Sequence, residues 1–391
     1  MNTTTSRDVL PAPAADALAA SSLLVAHIAA QIAAAGGWIP FDRYMQLALY
    51  APGLGYYTGG ATKLGAAGDF VTAPEMTPLY ARALAAQVAQ VMQLSAPQIL
   101  EFGAGSGALA RDLIPGLRDR QVAAQRYVIV EPSPQLRERQ RATLAGIEDL
   151  TVEWLDAPPA GFRGALIANE VLDAMPVTLF VRTAEDVFER GVCIAAGDTG
   201  RPFAWRDMPA GRPLHDAVAA IESELDTLPA PYVSELPLAA AAWAASLGDW
   251  LAQGAALIVD YGFSRREFYH PQRAGGTLMC HYRHRAHTDP LWLPGLSDIT
   301  AHVDFTTIAE RAQDSGLEVL GYASQGRFLL NCGLLALMPG GGAQAHLLTT
   351  QAVQRLLSEA EMGELFKVLA LGRGIDVPLL GFASGDRSHK L

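Results

Sequence analysis

A glycine-rich turn preceded by a carboxylate is the part of this sequence that most clearly indicates chemistry. Residues 99–107 read ILEFGAGSG, and Ala108 completes the spacing of a dinucleotide fingerprint, in which helix-terminal N–H groups bind a pyrophosphate. Glu101 would repel that anion, but it attracts the ammonium and the sulfonium of S-adenosylmethionine (SAM). We therefore predict a SAM site, with an NAD-dependent oxidoreductase as the less favoured alternative. The predicted cofactor-binding residues of this turn are Glu101, Gly103, Ala104, Gly105 and Gly107.

Two further acids follow predicted strands. Glu131 ends the apolar run 127–130, where a carboxylate can accept hydrogen bonds from the hydroxyls of a ribose. It does not separate SAM from NAD, because both contain an adenosine ribose. Asp156 follows the third strand-like run and is predicted to reach the adenine amino group, with a solvated loop acid as the equal alternative.

The fourth predicted strand runs into Asn169 and Glu170, and Asp173 follows one helical turn later. Ligands of doubly wound sheets bind beyond the carboxyl ends of the strands, so we predict that Asn169 and Glu170 face the transferable methyl, with Asp173 one helical turn from Glu170. We predict all three residues as catalytic. A guanidinium acceptor at 4 Å from the sulfonium would be repelled by about 4 kcal/mol at an effective dielectric constant near 20. Glu170 would offset this repulsion and orient the guanidinium. The alternative is that Glu170 caps a helix N-terminus.

Two other segments carry polar residues whose role the spacing leaves open. The segment 65–76 is either a lid over the cofactor, contributing Asp69, Thr72 and Glu75, or the turn before the helix that Thr77 caps. The segment 281–287 has histidines three apart, but no cysteine or acid at matching spacing completes a ligand set, so we predict no metal. Docking of a substrate or partner is favoured there over a plain basic surface loop.

Composition restricts the class of protein. Half of the 391 residues are hydrophobic and the formal net charge is −11, so we expect a globular protein that does not bind bulk nucleic acid and acts on a protein or small molecule. Three widely spaced cysteines argue against disulfides and favour a reducing, cytoplasmic location. His27 and Gln31 interrupt the apolar N-terminal stretch, which predicts an alanine-rich helix rather than a signal peptide, and we expect no membrane span. The oligomeric state is left open.

Short apolar strands alternate with helical patterns from residue 98 onward, which predicts an α/β fold with a doubly wound parallel sheet. The interval between the fourth and fifth strands is too long for one crossover. We divide the chain into an N-terminal helical extension with a lid loop (1–95), a SAM-binding half (96–176), an insertion for substrate or partner (177–253) and the remainder of the sheet domain (254–391).

The assembled motifs resemble the MidA-like family of class I SAM-dependent methyltransferases. This resemblance implies a seven-stranded methyltransferase sheet with an N-terminal helical extension and a large insertion after the fourth strand. It also implies that the segment 68–75 is an active-site wall, that SAM lies at Glu101, Gly103, Gly105 and Glu131, and that Glu170 lies near the acceptor. The segments that carry it are 41–45, 48–50, 55–57, 68–75, 101–107, 169–176, 259–262 and 298–305.

A mitochondrial member of that family assists assembly of respiratory complex I by methylating an arginine of a subunit. The resemblance therefore implies an arginine acceptor and a respiratory-chain subunit, or an assembly intermediate, as the partner. A protein of another class remains as an alternative, namely a non-catalytic assembly factor that binds SAM.

Overall fold

Helices and strands alternate along the part of the chain that the computed structural model describes, which is residues 10–59, 71–197, 200–225, 227–338 and 343–391. The strands are β1 Ile39–Pro40, β2 Gln98–Phe102, β3 Arg126–Val130, β4 Thr151–Leu155, β5 Phe162–Asn169, β6 Thr178–Arg182, β7 Val187–Ile194, β8 Phe203–Pro209, β9 Tyr232–Leu236, β10 Leu251–Phe263, β11 Met279–Tyr282, β12 Arg285–His287, β13 Asp298–Thr300, β14 Val303–Asp304, β15 Glu318–Ser324 and β16 Phe366–Arg373. The α-helices are α1 Ala15–Ala34, α2 Phe41–Tyr50, α3 Ala73–Met76, α4 Pro78–Leu94, α5 Ala108–Arg118, α6 Pro134–Leu144, α7 Arg212–Leu225, α8 Leu238–Trp250, α9 Arg265–Phe268, α10 Phe305–Asp314, α11 Gln325–Asn331, α12 Ala343–Leu357 and α13 Met362–Leu365.

The central sheet has the strand order β15-β16-β10-β5-β2-β3-β4, and the two-residue strand β14 pairs with β10. The five strands from β10 to β4 run parallel, and β16 is antiparallel to both of its neighbours. The predicted doubly wound sheet is confirmed, with β14 as an eighth strand. Phe102 is in register with Val130 on one side and Ala168 on the other, so the carboxyl ends of β2, β3 and β5 lie at one edge.

Side chains of the central strands alternate between two buried layers, because successive residues of a strand point to opposite faces. Ile99 of β2 packs in the layer that contains α4 and α5, whereas Leu100 packs in the layer of α8 and α10. A sheet covered on both faces explains why these strands are nearly continuous apolar runs.

Two helices pack on the central sheet although the predicted domain boundaries place them in other segments. Leu84 and Val88 of α4 belong to the core of the central sheet, although α4 lies within the predicted N-terminal extension. Ala244 and Leu247 of α8 also pack on that sheet, although α8 lies within the predicted insertion. Both helices carry apolar faces that the central sheet buries, so the inserted segment ends near Leu236 rather than at residue 253.

The first part of the N-terminal extension, α1 to α2, and strands β6 to β9 of the insertion form one structural unit. Strands β6 to β9 form an antiparallel sheet, and β1 adds to its edge through the pair Ile39 and Val192. Helices α1 and α2 pack on this sheet in a shared apolar cluster. The sequence separates these two segments by more than a hundred residues, so periodicity alone could not predict their pairing.

The predicted alanine-rich N-terminal helix is confirmed as α1. Its Leu24, Ile28 and Ile32 are fully buried in that cluster, and Ser21 Oγ donates a 2.9 Å hydrogen bond to the carbonyl of Pro294. Within the described ranges, α1 is the one helix whose length and hydropathy would allow it to cross a membrane.

Candidate functional site

A cavity of about 830 Å³ opens at the carboxyl ends of β2, β3 and β5. This volume is in the range of ligand pockets, and the position agrees with the rule for doubly wound sheets. The structure brings most of the predicted site residues to its wall: Glu101, Gly103, Ala104, Gly105, Glu131, Asp156, Asn169, Glu170, Thr72 and Glu75. Gly107 and Asp173 do not line it, and Asp69 lies outside the described residues.

The glycine turn requires residues without a β-carbon. Gly103, Gly105 and Gly107 have φ of +59°, +53° and +83°, which side chains rarely adopt. A β-carbon on Gly103 would lie 3.2 Å from Val171 Cγ2, on the strand end that carries Glu170. Gly107 is instead the N-cap residue before α5 and faces Thr143 of α6, so it shapes the turn and does not line the cavity.

Glu101 is 2% exposed and accepts a 2.7 Å hydrogen bond from the Tyr127 hydroxyl. Burial raises the pKa of Glu101 to about 7, and the hydrogen bond from Tyr127 opposes this rise. No ion pair with Glu101 is present among the described side chains. A buried carboxyl without a cation at the wall of a cavity fits a positively charged ligand such as SAM, and it would repel a pyrophosphate.

Glu131 is held by two donors. Its Oε1 accepts a 2.9 Å bond from the amide of Ser133, and its Oε2 accepts a 3.2 Å bond from Gln140 Nε2. Burial raises the pKa of this carboxyl as well. Gln140 also donates a 3.1 Å bond to the carbonyl of Gly105, so α6 fixes the ribose-binding candidate and the glycine turn together.

Asp156 lies at the rim of the cavity. Its side chain is 93% exposed, and it forms a 2.5 Å ion pair with Arg137 Nη2. The same nitrogen donates to the carbonyl of Leu155. Asp156 therefore reaches the cavity as a paired, solvated acid, and its contact with adenine stays a prediction.

The far wall of the cavity carries Asn169 and Glu170. Glu170 Oε1 accepts hydrogen bonds from Asn169 Nδ2 at 3.1 Å and from the amide of Ala73 at 3.4 Å, and Asn169 Oδ1 accepts a 2.5 Å bond from the Tyr80 hydroxyl. Burial, and then the charge of Asp173, raise the pKa of Glu170 to about 8. The alternative prediction, that Glu170 caps a helix N-terminus, is thus partly observed, because Ala73 is the first residue of α3. The hydrogen bond from Ala73 uses only one oxygen of Glu170, and the carboxylate also lines the cavity.

Asp173 departs from the prediction. The residues after Glu170 form a turn instead of a helix, and Asp173 is directed to Tyr261, whose hydroxyl donates a 2.5 Å bond to its Oδ2. Asp260 Oδ2 accepts hydrogen bonds from the backbone amides of Leu172 and Asp173, at 3.0 and 3.2 Å. Burial raises the pKa of Asp173 to about 6. Asp173 therefore does not line the cavity, although its charge acts on Glu170, and its role in catalysis stays a prediction.

Two tyrosines that the sequence analysis did not predict as site residues also line the cavity, namely Tyr50 at the end of α2 and Tyr57 in the segment that follows it. The rings of Tyr50 and Tyr57 stack with centroids 5.4 Å apart at 21°. The Tyr50 hydroxyl donates to the carbonyl of Ala174 at 2.9 Å, and the Tyr57 hydroxyl donates to both oxygens of Asp298 at 2.9 and 3.0 Å. The family resemblance includes the segments 48–50 and 55–57 that contain these tyrosines, but their residue type and spacing do not distinguish them from core aromatics.

The histidine-rich segment is a hairpin rather than a loop, because β11 and β12 pair through His281 and Ala286. No group of three metal-ligating side chains occurs within the described parts of the chain. His302 lines a separate cavity of about 570 Å³, where its ring stacks on Phe263 at 5.2 Å. Burial lowers the pKa of His302 to about 4, so this ring is neutral at physiological pH.

Comparison with known proteins places this geometry in a family. Residues 83–323 match the model of a family described as "Putative S-adenosyl-L-methionine-dependent methyltransferase". The chain is 28% identical over 381 residues to protein arginine methyltransferase NDUFAF7, mitochondrial, of Danio rerio, covering 89% of this chain and 86% of the relative. The corresponding homolog of Drosophila melanogaster is 27% identical over 389 residues, with the same coverage.

A crystal structure of a COG1565 superfamily member from Burkholderia thailandensis, bound to S-adenosyl-homocysteine, superposes with a TM-score of 0.92. That protein is 50% identical to this chain, and the match covers 98% of this chain and all of the other. S-adenosyl-homocysteine is what SAM becomes when it loses its methyl group, so the cofactor is SAM, as predicted from Glu101.

The relatives also correct one prediction. They are named as mitochondrial proteins, so the expectation of a cytoplasmic location is wrong. That expectation rested on cysteine usage, which separates reducing from oxidising compartments but does not separate one reducing compartment from another. The family match, the solved relative and the cavity agree: the chain belongs to the family of S-adenosyl-L-methionine-dependent methyltransferases.

Proposed function

We propose that this protein transfers the methyl group of SAM to the guanidinium of an arginine in a protein substrate. The observation that carries the proposal is Glu170, a carboxylate at the cavity wall beyond the predicted cofactor end, with one oxygen held by two N–H donors. The relatives named protein arginine methyltransferases support the choice of acceptor.

In this proposal the cofactor lies along the glycine turn. Glu101 would neutralise its positive charge, Glu131 would accept hydrogen bonds from the ribose hydroxyls and Asp156 would accept one from the adenine amino group. The missing β-carbons of Gly103 and Gly105 and the small side chain of Ala104 let the ligand approach the backbone. Thr72 and Glu75 close the cavity from α3 and the residue before it.

Bound SAM supplies an electrophilic methyl group on a sulfonium. Glu170 orients the guanidinium through its N–H groups, and Asn169 holds Glu170 in place. The acceptor nitrogen forms the new N–C bond with its lone pair, while the electron pair of the C–S bond stays on sulfur. Glu170 takes the proton that the nitrogen loses, which requires the carboxylate form.

For the protein substrate we propose a subunit or an assembly intermediate of respiratory complex I. This part of the proposal rests on the family resemblance carried by the segments 68–75, 169–176 and 298–305. The acidic net charge of −11 is consistent with a basic, arginine-bearing segment as the acceptor.

The test is methyl transfer by the purified protein to arginine-containing proteins and peptides, read by mass spectrometry of the modified residue. The variant Glu170→Gln should bind SAM as the wild type does but lose activity by roughly 100-fold or more. Wild-type activity should rise with pH through about 8, because the carboxylate fraction of Glu170 rises there. Glu359→Gln is the matched control, since it removes the same charge at an exposed glutamate that does not line the cavity.

Two results would contradict the proposal. A wild-type enzyme that methylates another residue type would exclude the arginine acceptor. A Glu170→Gln variant with unchanged kcat would remove Glu170 from the reaction.

A further inference from the structure

Tyr50 and Tyr57 form a stacked aromatic wall in the same cavity as Glu170, and neither residue is among those predicted to bind the cofactor. Each ring is fixed at its hydroxyl, Tyr50 on the carbonyl of Ala174 and Tyr57 on Asp298. Both rings line the cavity and are partly exposed. A stacked pair anchored at both ends loses little side-chain entropy when a ligand binds to it.

The contacts of the pair show where in the cavity it lies. The hydrogen bond to Ala174 places Tyr50 over the turn that follows Glu170. At the other side, the carbonyl of Tyr57 accepts a 3.2 Å bond from Ser133 Oγ, and Ser133 is bonded to Glu131. The wall therefore extends from the predicted ribose end of the cavity to the predicted acceptor end.

We propose that the Tyr50–Tyr57 wall forms the aromatic side of the acceptor subsite, in the cavity that Glu170 also lines, and selects a planar guanidinium. A guanidinium stacks on an aromatic face while its edge donates hydrogen bonds to a carboxylate, so both surfaces recognise the same group at once. A lysine ammonium is compact and strongly hydrated and cannot stack in this way. The inference rests on the proposed arginine acceptor and adds the residues that choose it.

The experiment measures binding and turnover separately. Binding of a short arginine peptide to the protein saturated with S-adenosyl-homocysteine is followed by calorimetry, with the matching lysine and citrulline peptides as comparison ligands. The wild type should prefer the arginine peptide. Tyr50→Leu should weaken that binding by roughly fivefold or more, because a desolvated cation–π contact is lost, and should leave the affinity for S-adenosyl-homocysteine unchanged.

Two further variants act as controls. Tyr50→Phe keeps the ring and should retain most of the arginine preference, although its link to Ala174 is removed. Glu131→Gln, at the cofactor end, should weaken binding of S-adenosyl-homocysteine but not the preference for arginine. Unchanged affinity for S-adenosyl-homocysteine in Tyr50→Leu also shows that this variant is folded.

The outcomes separate this inference from the proposed function. If the wild type transfers methyl to arginine but Tyr50→Leu binds and methylates the peptide equally well, the inference is overturned and the function stands. If Tyr50→Leu weakens binding of S-adenosyl-homocysteine instead of binding of the peptide, the wall contacts the cofactor and the inference is overturned. If the arginine preference is present and is lost in Tyr50→Leu, but no methyl is transferred, the subsite stands and the proposed function fails. A wild type that binds all three peptides equally, or none, also overturns the inference.

Discussion

Tyr127 on β3 donates a 2.7 Å hydrogen bond to the buried carboxyl of Glu101 on the neighbouring strand β2. The bond stabilises the charged form of Glu101, whereas burial favours the neutral form, and burial has the larger effect. The cavity thus presents a carboxyl that titrates near neutral pH where a cation is expected to bind.

The affinity for SAM should depend on pH through Glu101. The pKa of this carboxyl is raised to about 7 in the free protein, and a bound cation favours the carboxylate, so affinity should increase as the pH rises toward about 7. Calorimetry below that pH, in buffers of different ionisation enthalpy, should show proton release on binding. Tyr127→Phe should shift the midpoint of this pH dependence of affinity to higher pH, because the lost hydrogen bond had lowered the pKa of Glu101. A wild-type affinity that does not change over this range would refute the assignment.

Removing the charge of Glu101 should stabilise the free protein at neutral and higher pH. A carboxyl whose folded pKa is raised contributes stability below its unfolded pKa, and this contribution is lost as the pH rises through the folded pKa. Glu101→Gln avoids burying that charge, so its free energy of unfolding above about pH 7 should exceed that of the wild type by on the order of 2 kcal/mol. Urea unfolding at pH 5 and pH 8 measures the difference. The same variant should bind SAM poorly, and a variant that is destabilised at both pH values would count against this account.

A side chain at Gly103 should damage both stability and cofactor binding. The substitution Gly103→Ala forces an L-residue to φ +59° and brings its β-carbon to 3.2 Å from Val171 Cγ2. The left-handed backbone alone costs about 1–2 kcal/mol, which denaturant unfolding can resolve. Gly146→Ala is the matched control, because no atom lies within 4 Å of its β-carbon position and its backbone is not in the left-handed region. Equal stability of the two variants would contradict the prediction.

Tyr80 is expected to act on the reaction by positioning Asn169. Its hydroxyl donates a 2.5 Å bond to Asn169 Oδ1, which leaves the Asn169 amide nitrogen facing Glu170 Oε1. Tyr80→Phe should lower kcat several-fold without changing the Kd of SAM, since one neutral hydrogen bond is worth about 1 kcal/mol. Because the bond from Asn169 lowers the pKa of Glu170, the pH profile of kcat should also shift upward in this variant. A fall in kcat with an unshifted profile would mean a purely structural role.

The site could be predicted where a residue stands at the end of a strand. Glu101, Glu131, Asn169 and Glu170 follow apolar runs, and the carboxyl ends of parallel strands meet at one edge of a sheet, so their convergence follows from the pattern of strands. The charge of Glu101 was sufficient to choose SAM over a phosphate-bearing cofactor, because the sign of an interaction does not depend on exact geometry.

Residues placed by turns and by distant contacts needed the folded chain. The same stretch that carries Glu170 directs Asp173 to Tyr261, 88 residues away, because a turn and not a helix follows β5. The pairing of Asp156 with Arg137 likewise depends on how α6 packs beside β4.

The sequence by itself determined the class of fold, the cofactor and the strand-end carboxylates, since these depend on periodicity and on the sign of a charge. Only the tertiary structure decided which side chains share the cavity with them. Tyr50 and Tyr57 reach Ala174 and Asp298 across 124 and 241 residues. Contacts over such separations are set by the packing of whole elements, and local residue patterns carry no information about them.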